Sequence, residues 1–247
     1  MTKELIIIPD VHGRTFWKQA LPYIEDGTLV VFLGDYLDPY PHEGITKLQA
    51  LDNFQEILEV TKDKGNVTLL FGNHDCTYTW PEANICECRT DYDNLGYIHK
   101  IFQKNLRRFR LFWVWNNFLF THAGVHPAWL KTLTMTLTLL ENKLKDGDAE
   151  AIRHLADVGR IRGGWSSAGS CVWADIHEFD WPTEPISGYT QIVGHSQQLD
   201  YGYNPKFWWK PGKPVRFGNT VCLDCHQCFY IDSEGDIRYL EGDEVVK

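Results

Sequence analysis

The feature that most constrains this chain is a grammar it repeats, in which a short apolar run ends at once in a loop of Asp, His, Asn and Gly. Leu5-Ile6-Ile7-Ile8 leads into Asp10-Val11-His12-Gly13, and Leu29-Val30-Val31-Phe32-Leu33 into Gly34-Asp35-Tyr36-Leu37-Asp38. Val67-Thr68-Leu69-Leu70-Phe71 leads into Gly72-Asn73-His74-Asp75, Phe118-Leu119-Phe120 into Thr121-His122-Ala123-Gly124, and Gln191-Ile192-Val193 into Gly194-His195-Ser196. Apolar runs without polar alternation predict strands buried on both faces, as in an α/β sheet covered by helices. Open α/β folds gather their functional groups at the carboxyl ends of neighbouring strands. The five polar clusters are therefore expected to meet along one edge, with glycines allowing tight turns and close backbone approach.

Between these runs lie helical spacings. Leu48, Leu51, Ile57 and Leu58 mark one helix, and Ile98, Ile101, Phe102 and Leu106 a second. Residues 130–144 fit both periods. Thr132 to Thr138 alternates like a strand, but Leu130, Leu133, Leu137, Leu140 and Leu144 keep helical spacing, and a helix is expected. Short β-like runs at residues 221–223, 228–231 and 237–240 suggest a closing antiparallel portion. No linker or repeat divides the 247 residues, so a single domain over 1–247 is expected.

Composition narrows the function classes. With 24 basic and 33 acidic side chains the formal charge is −9, which argues against duplex DNA or an anionic membrane as partner. An aromatic content of 14% argues against disorder. The first apolar run is too short for a signal-peptide core, and no run approaches the roughly 20 residues that span a bilayer. The expected location is cytoplasmic. An odd count of seven Cys agrees with a reducing compartment.

Collected from the strand ends, Asp10, His12, Asp35, Asn73, His122 and His195 form a nitrogen and oxygen ligand set without thiolate. Such a set suits Mn, Fe, Zn or Co better than a calcium site or a structural zinc site. Six ligands are too many for one open tetrahedral metal and about right for two, and a carboxylate such as Asp35 can bridge cations about 3.5–4 Å apart.

These blocks, in this order, resemble the calcineurin-like metallophosphoesterase superfamily. Cys171-Val172-Trp173-Ala174-Asp175 resembles the tryptophan-aspartate segment of its serine/threonine phosphoprotein phosphatase branch. The resemblance implies a four-layer α/β/β/α sandwich and two divalent transition-metal ions, Mn first, with Fe, Zn, Co or Ni as alternatives. Asp10, His12 and Asp35 would hold the first ion, with Asp35 bridging, and Asn73, His122 and His195 would complete the second. The implied reaction is hydrolysis of phosphate monoesters by in-line attack of a metal-bridging hydroxide. His74 would be the general acid for the leaving oxygen, oriented and charged by Asp38. The substrate would be a phosphoprotein or a small phosphoester. A nucleotide-type substrate, such as a dinucleoside polyphosphate or a cyclic phosphodiester, is the rival within enzymes. A non-catalytic scaffold would be expected to lose His74 or several ligands, and this chain keeps them all.

Two positions depart from the branch. Pro39 stands where it usually carries a phosphate-clamping Arg; Arg162, with Arg160, lies where its other phosphate-binding Arg is expected. Gln197 replaces the second His that many superfamily members carry in the last block. Other features read as structural: Asp75 as a loop-orienting group, Arg107, Arg108 and Arg110 as the end of a helix, and Phe207-Trp208-Trp209 as packing. The short Cys spacings, 86 to 88 and 222 to 228, read as core or incidental cysteines rather than a second metal site. Residues 79–96, after the His74 block, are the expected selectivity loop.

Overall fold

The structure, a computed structural model, describes residues 2–83, 85, 89–179, 186, 188–200 and 210–246. Its first sheet contains β1 (Lys3–Ile8), β2 (Leu29–Phe32), β3 (Val67–Leu70), β4 (Phe109–Arg110), β12 (Phe229–Asp232) and β13 (Ile237–Tyr239). Their order is β13-β12-β1-β2-β3-β4, with β1 to β4 parallel and β12 and β13 antiparallel. The second sheet runs β10 (Val215–Phe217), β11 (Thr220–Cys222), β7 (Thr190–Val193), β6 (Phe118–Thr121) and β5 (Phe112–Trp115). A small pair, β8 (Leu199–Asp200) with β9 (Lys210–Pro211), stands apart. The helices are α1 (Leu21–Asp26), α2 (Lys47–Val60), α3 (Asn73–Thr79), α4 (Leu95–Asn105), α5 (Pro127–Leu130), α6 (Leu137–Lys145) and α7 (Ala149–Leu155).

The unbroken apolar runs bury both faces of each strand. Leu5, Ile7, Val31, Leu33 and Leu70 pack against Phe118, Phe120, Ile192 and Val221 between the two sheets. Their neighbours Ile6, Ile8, Val30, Phe32 and Leu69 turn the other way, onto Trp17, Phe54, Ile57 and Phe102. The outer face of the second sheet is covered in turn. Leu119 joins the cluster that holds Trp129, Leu140 and Leu155, and Val193 and Cys222 meet Ile176 and Phe179. The result is an α/β sandwich of two mixed sheets with helices outside. Among the described residues no helix is long and apolar enough to cross a membrane.

Three expectations need correction. Residues 130–144 are not one helix: α5 ends at Leu130, a turn follows, and α6 starts at Leu137 with the Thr136 side chain accepting from Leu139 N. The alternating threonines supply that cap, because a hydroxyl that can serve the backbone favours a helix start over its interior. The closing segment is not a single antiparallel unit either. β11 pairs parallel with β7 in the second sheet, while β12 and β13 extend the first. Finally, Leu48 is 62% exposed, because the buried stripe of α2 centres on Phe54 and Ile57. The start of α2 is fixed by a capping box between Thr46 and Gln49.

Arg108 donates to Leu58 O and Thr61 Oγ1, closing the end of α2, and Arg110 lies 3.6 Å from Glu141. The chain between Cys222 and Phe229 is a loop and not a strand, yet Cys222, Cys225 and Cys228 are buried. Burial pushes all three thiols up, that of Cys225 to about 12, so they stay protonated and are poor metal ligands. Cys86, Cys88 and the 207–209 aromatic run lie outside the described residues.

Candidate metal centre

Each candidate metal ligand, and the His74–Asp38 pair, follows the carboxyl end of a parallel strand, whereas Arg160 and Arg162 lie on a short helical turn after α7. β1 delivers Asp10 and His12, β2 Asp35 and Asp38, β3 Asn73 and His74, β6 His122, and β7 His195. The turns are strained. His12 (φ 44), Asp35 (φ 53), Asp38 (φ 59) and His195 (φ 64) all hold the left-handed region. Outside glycine this costs about 1–2 kcal/mol per residue, and its clustering at one edge marks a functional site. Glycine is required where loops touch: a Cβ would stand 2.1 Å from Asp35 Oδ1 at Gly72 and 1.9 Å from Asp10 Oδ1 at Gly194.

The tautomers follow from the backbone. His12 Nδ1 lies 2.7 Å from Leu37 O and His122 Nδ1 lies 2.8 Å from Leu33 O. A carbonyl can only accept, so both Nδ1 atoms carry the proton when the rings are neutral, and both Nε2 atoms turn bare into the site. Around His122 Nε2 lie Asn73 Oδ1 at 3.0 Å, His195 Nδ1 at 3.2 Å and Asp35 Oδ2 at 3.5 Å. His12 Nε2 is also 3.5 Å from the same Asp35 Oδ2. One carboxylate oxygen is thus shared by two clusters, His12 with Asp35 and His74, and Asp35 with His122 and His195. In each cluster the ligand atoms fall within 4.8 Å of one another.

Asp10 belongs to neither cluster by that measure; its two oxygens each lie 3.0 Å from the His195 N–H. His195 Nε2 is buried without a hydrogen-bond partner. Buried imidazole nitrogens gathered around carboxylate and amide oxygens fit hard-to-borderline divalent cations. In such a site Asp10, His12 and Asp35, with Asn73, His122 and His195, would be the holding groups.

Among the protein groups of the site, burial and the clustered carboxylates set the electrostatics. Burial raises Asp10 to about 6, the Asp35 charge adds to that, and His122 opposes it. Burial would lower His122, but the Asp35 and Asp10 carboxylates override it and push the ring up to about 9. Burial would raise Asp35 too, yet His122 and His74 hold it well below the usual carboxylate range. Burial, joined for His195 by the Arg162 charge, keeps His12 and His195 well below the ordinary imidazole value.

Beside this centre His74 Nδ1 lies 2.7 Å from Asp38 Oδ2, and the Tyr78 hydroxyl donates to Asp38 Oδ1. The Asp75 carboxylate accepts from the backbone N–H groups of Gly72 (2.8 Å), Asp35 (2.7 Å) and Tyr36 (3.1 Å), tying the second loop to the third. Arg162 reaches the loop of His195: its Nη2 donates to Ser196 Oγ at 3.0 Å, and its Nε lies 3.1 Å from Asp175. Arg160, on the same turn, is exposed.

Sequence reasoning missed two residues here. Thr220-Val221-Cys222-Leu223 leads into Asp224-Cys225-His226, a sixth instance of the repeated grammar, hidden by its cysteines. Burial and the Asp10 charge push buried Asp224 well above the usual range, and its Oδ1 has no hydrogen-bond partner. Arg89, from the 79–96 segment, places Nη2 3.4 Å from His74 Nε2.

Gly194→Ala is expected to push the Asp10 carboxylate out of place and to lower metal affinity by roughly 10–100-fold, the scale of lost support to a ligand. Metal content after dialysis, beside an unchanged far-UV circular dichroism spectrum, checks it.

Comparison with known proteins agrees with this layout. The Calcineurin-like phosphoesterase profile matches residues 4–199, a span that contains all five strand-end blocks. Among solved structures, a serine/threonine phosphatase from Saccharomyces cerevisiae described as similar to human phosphatase PP5 aligns at 12% identity and a TM-score of 0.45. The alignment covers 99% of this chain and 79% of that one. No curated protein matches the sequence. A profile that runs from β1 through β7 and takes in every His and Asp of the two shared clusters leaves one conclusion: the chain belongs to the calcineurin-like phosphoesterase family.

Proposed function

We propose that this metallophosphoesterase is a dimetal-dependent phosphatase that hydrolyses phosphate monoesters, of the serine/threonine-phosphatase type. One observation carries the reading: the His74–Asp38 pair stands beside a carboxylate shared by two clusters whose geometry could hold metal ions. Two divalent ions, Mn first and Fe, Zn, Co or Ni after it, would supply Lewis acidity toward water and the phosphate oxygens. Asp10, His12 and Asp35 would hold one, and Asn73, His122 and His195, with Asp35 shared, the other.

The protein's own groups do the rest. Asp38 takes the Nδ1 proton of His74 as a hydrogen bond and fixes the ring with Nε2 toward the site, where it can hand a proton to the leaving oxygen. Tyr78 holds the second Asp38 oxygen, so the carboxylate cannot rotate away. Arg162, steadied by Asp175, offers its guanidinium to the phosphate from the His195 side. Burial of His74 and Asp38 keeps bulk water from screening that pair. The substrate is a phosphoprotein or a small phosphoester.

The test is hydrolysis of p-nitrophenyl phosphate by metal-stripped protein resupplied with Mn, compared with a phosphopeptide, a dinucleoside polyphosphate and bis-p-nitrophenyl phosphate. Mn-dependent turnover with monoesters preferred supports the reading. Preference for the diester or the dinucleotide would replace it.

A further inference from the structure

We propose that Arg89 is the residue that grips the substrate phosphate on the leaving-group side, a reading that rests on the phosphomonoesterase assignment above. Arg89 comes from the segment after α3, away from the strand-end blocks that carry the ligands. Its Nε donates to Asp38 O at 3.0 Å. The guanidinium carbon lies 3.8 Å from the centroid of the Tyr40 ring, and that ring meets His12 edge-on at 5.1 Å. Stem and plane are therefore fixed by two independent contacts, one polar and one aromatic. The fork edge then points at His74, with Nη2 3.4 Å from Nε2.

That approach is long for a hydrogen bond and weak as one. It nevertheless places two in-plane N–H groups next to the imidazole nitrogen that would face the leaving oxygen. A planar guanidinium stacked on a ring keeps its donors in one plane, the geometry that matches two phosphate oxygens at once. A phosphate monoester dianion attracts such a guanidinium more strongly than a diester does. Arg162 sits at the other end, by Ser196, so the two guanidinium groups would flank the phosphate.

The test uses the full chain reconstituted with Mn, as wild type, Arg89→Ala, Arg89→Lys and Arg107→Ala, the last as an exposed-arginine control. Calorimetric titration with inorganic phosphate gives a readout independent of turnover, and p-nitrophenyl phosphate kinetics separate KM from kcat. Arg89→Ala is expected to weaken phosphate binding and to raise KM about 10–100-fold at full metal content, the range of a charge-assisted bidentate contact. Lys should recover only part, since it presents a point charge without the fork. The control should match wild type. Phosphate affinity within twofold of wild type in both Arg89 variants overturns the assignment. So does a parallel loss of metal in both, which would make Arg89 a structural prop. A wild-type protein that binds metal but neither binds phosphate nor turns over a monoester refutes the phosphomonoesterase reading itself, and this inference with it.

Discussion

His74→Asn is expected to lower kcat for phosphate monoesters by roughly 10²–10⁴-fold, the usual contribution of a positioned general acid, while metal content stays at the wild-type level. The size should depend on the leaving group. p-Nitrophenolate departs without much help, so the loss is smallest there; phenyl phosphate and a phosphoserine peptide release poor leaving groups that need the proton, and they should approach the upper end. Asp38→Asn tests the same pair from behind. The Nδ1 contact at 2.7 Å survives in form, but the charge that favours a protonated ring is gone. Its effect should follow the same leaving-group order at smaller amplitude. Equal losses for p-nitrophenyl and phenyl phosphate in His74→Asn would rule out an acid role and leave His74 as a ligand, a reading its place beside His12 and Asp35 also permits.

How far the sequence foretold this site depends on which residues are asked about. Asp10, His12, Asp35, Asn73, His122 and His195 were legible because each follows an apolar run, and a parallel strand fixes where its next few residues go. The central strands were legible for the same reason, since burial on both faces leaves a mark in every residue, and α2 and α4 by the spacing of their apolar residues, while the short helices α1, α3 and α7 were not read. Residues 130–144 failed because leucine spacing and threonine alternation coexist there, and a local cap at Thr136 decided between them. Asp224 was lost for a different reason. Its run, Thr220-Val221-Cys222-Leu223, follows the same grammar, but the cysteines at 222, 225 and 228 draw the eye to thiol chemistry instead. Arg89 was beyond reach altogether. Its position is set by Asp38 O and the Tyr40 ring, two contacts made across about fifty residues of chain, which no spacing rule encodes.

Metal binding should stabilise the protein by an amount that grows with pH. In the metal-free fold His122 is raised to about 9 and Asp10 to about 6. Both folded values exceed the unfolded ones, so each group's contribution is full at low pH, below about 6.5 for His122 and about 3.9 for Asp10. It is lost as pH rises through the folded value. Ligation needs an ionised Asp10 and a bare His122 Nε2, so the metal-loaded fold has already released both protons and does not decline in this way. His12 and His195 are held neutral in the metal-free state, so they carry their ligating form in both states and cancel from the difference. Between pH 6 and 8 the net exchange is close to one proton, from His122, and binding strengthens by about 1.4 kcal/mol per pH unit. For a chain of this size that widens the gap in Tm between Mn-loaded and chelator-treated protein by roughly 3–6 °C per pH unit. Differential scanning calorimetry at pH 6, 7 and 8, with proton release read from the buffer dependence of the binding enthalpy, measures both halves. A gap that stays constant or narrows toward pH 8, or metal uptake without proton release at pH 7, would show that His122 is not displaced from its carboxylate partners and is not a ligand.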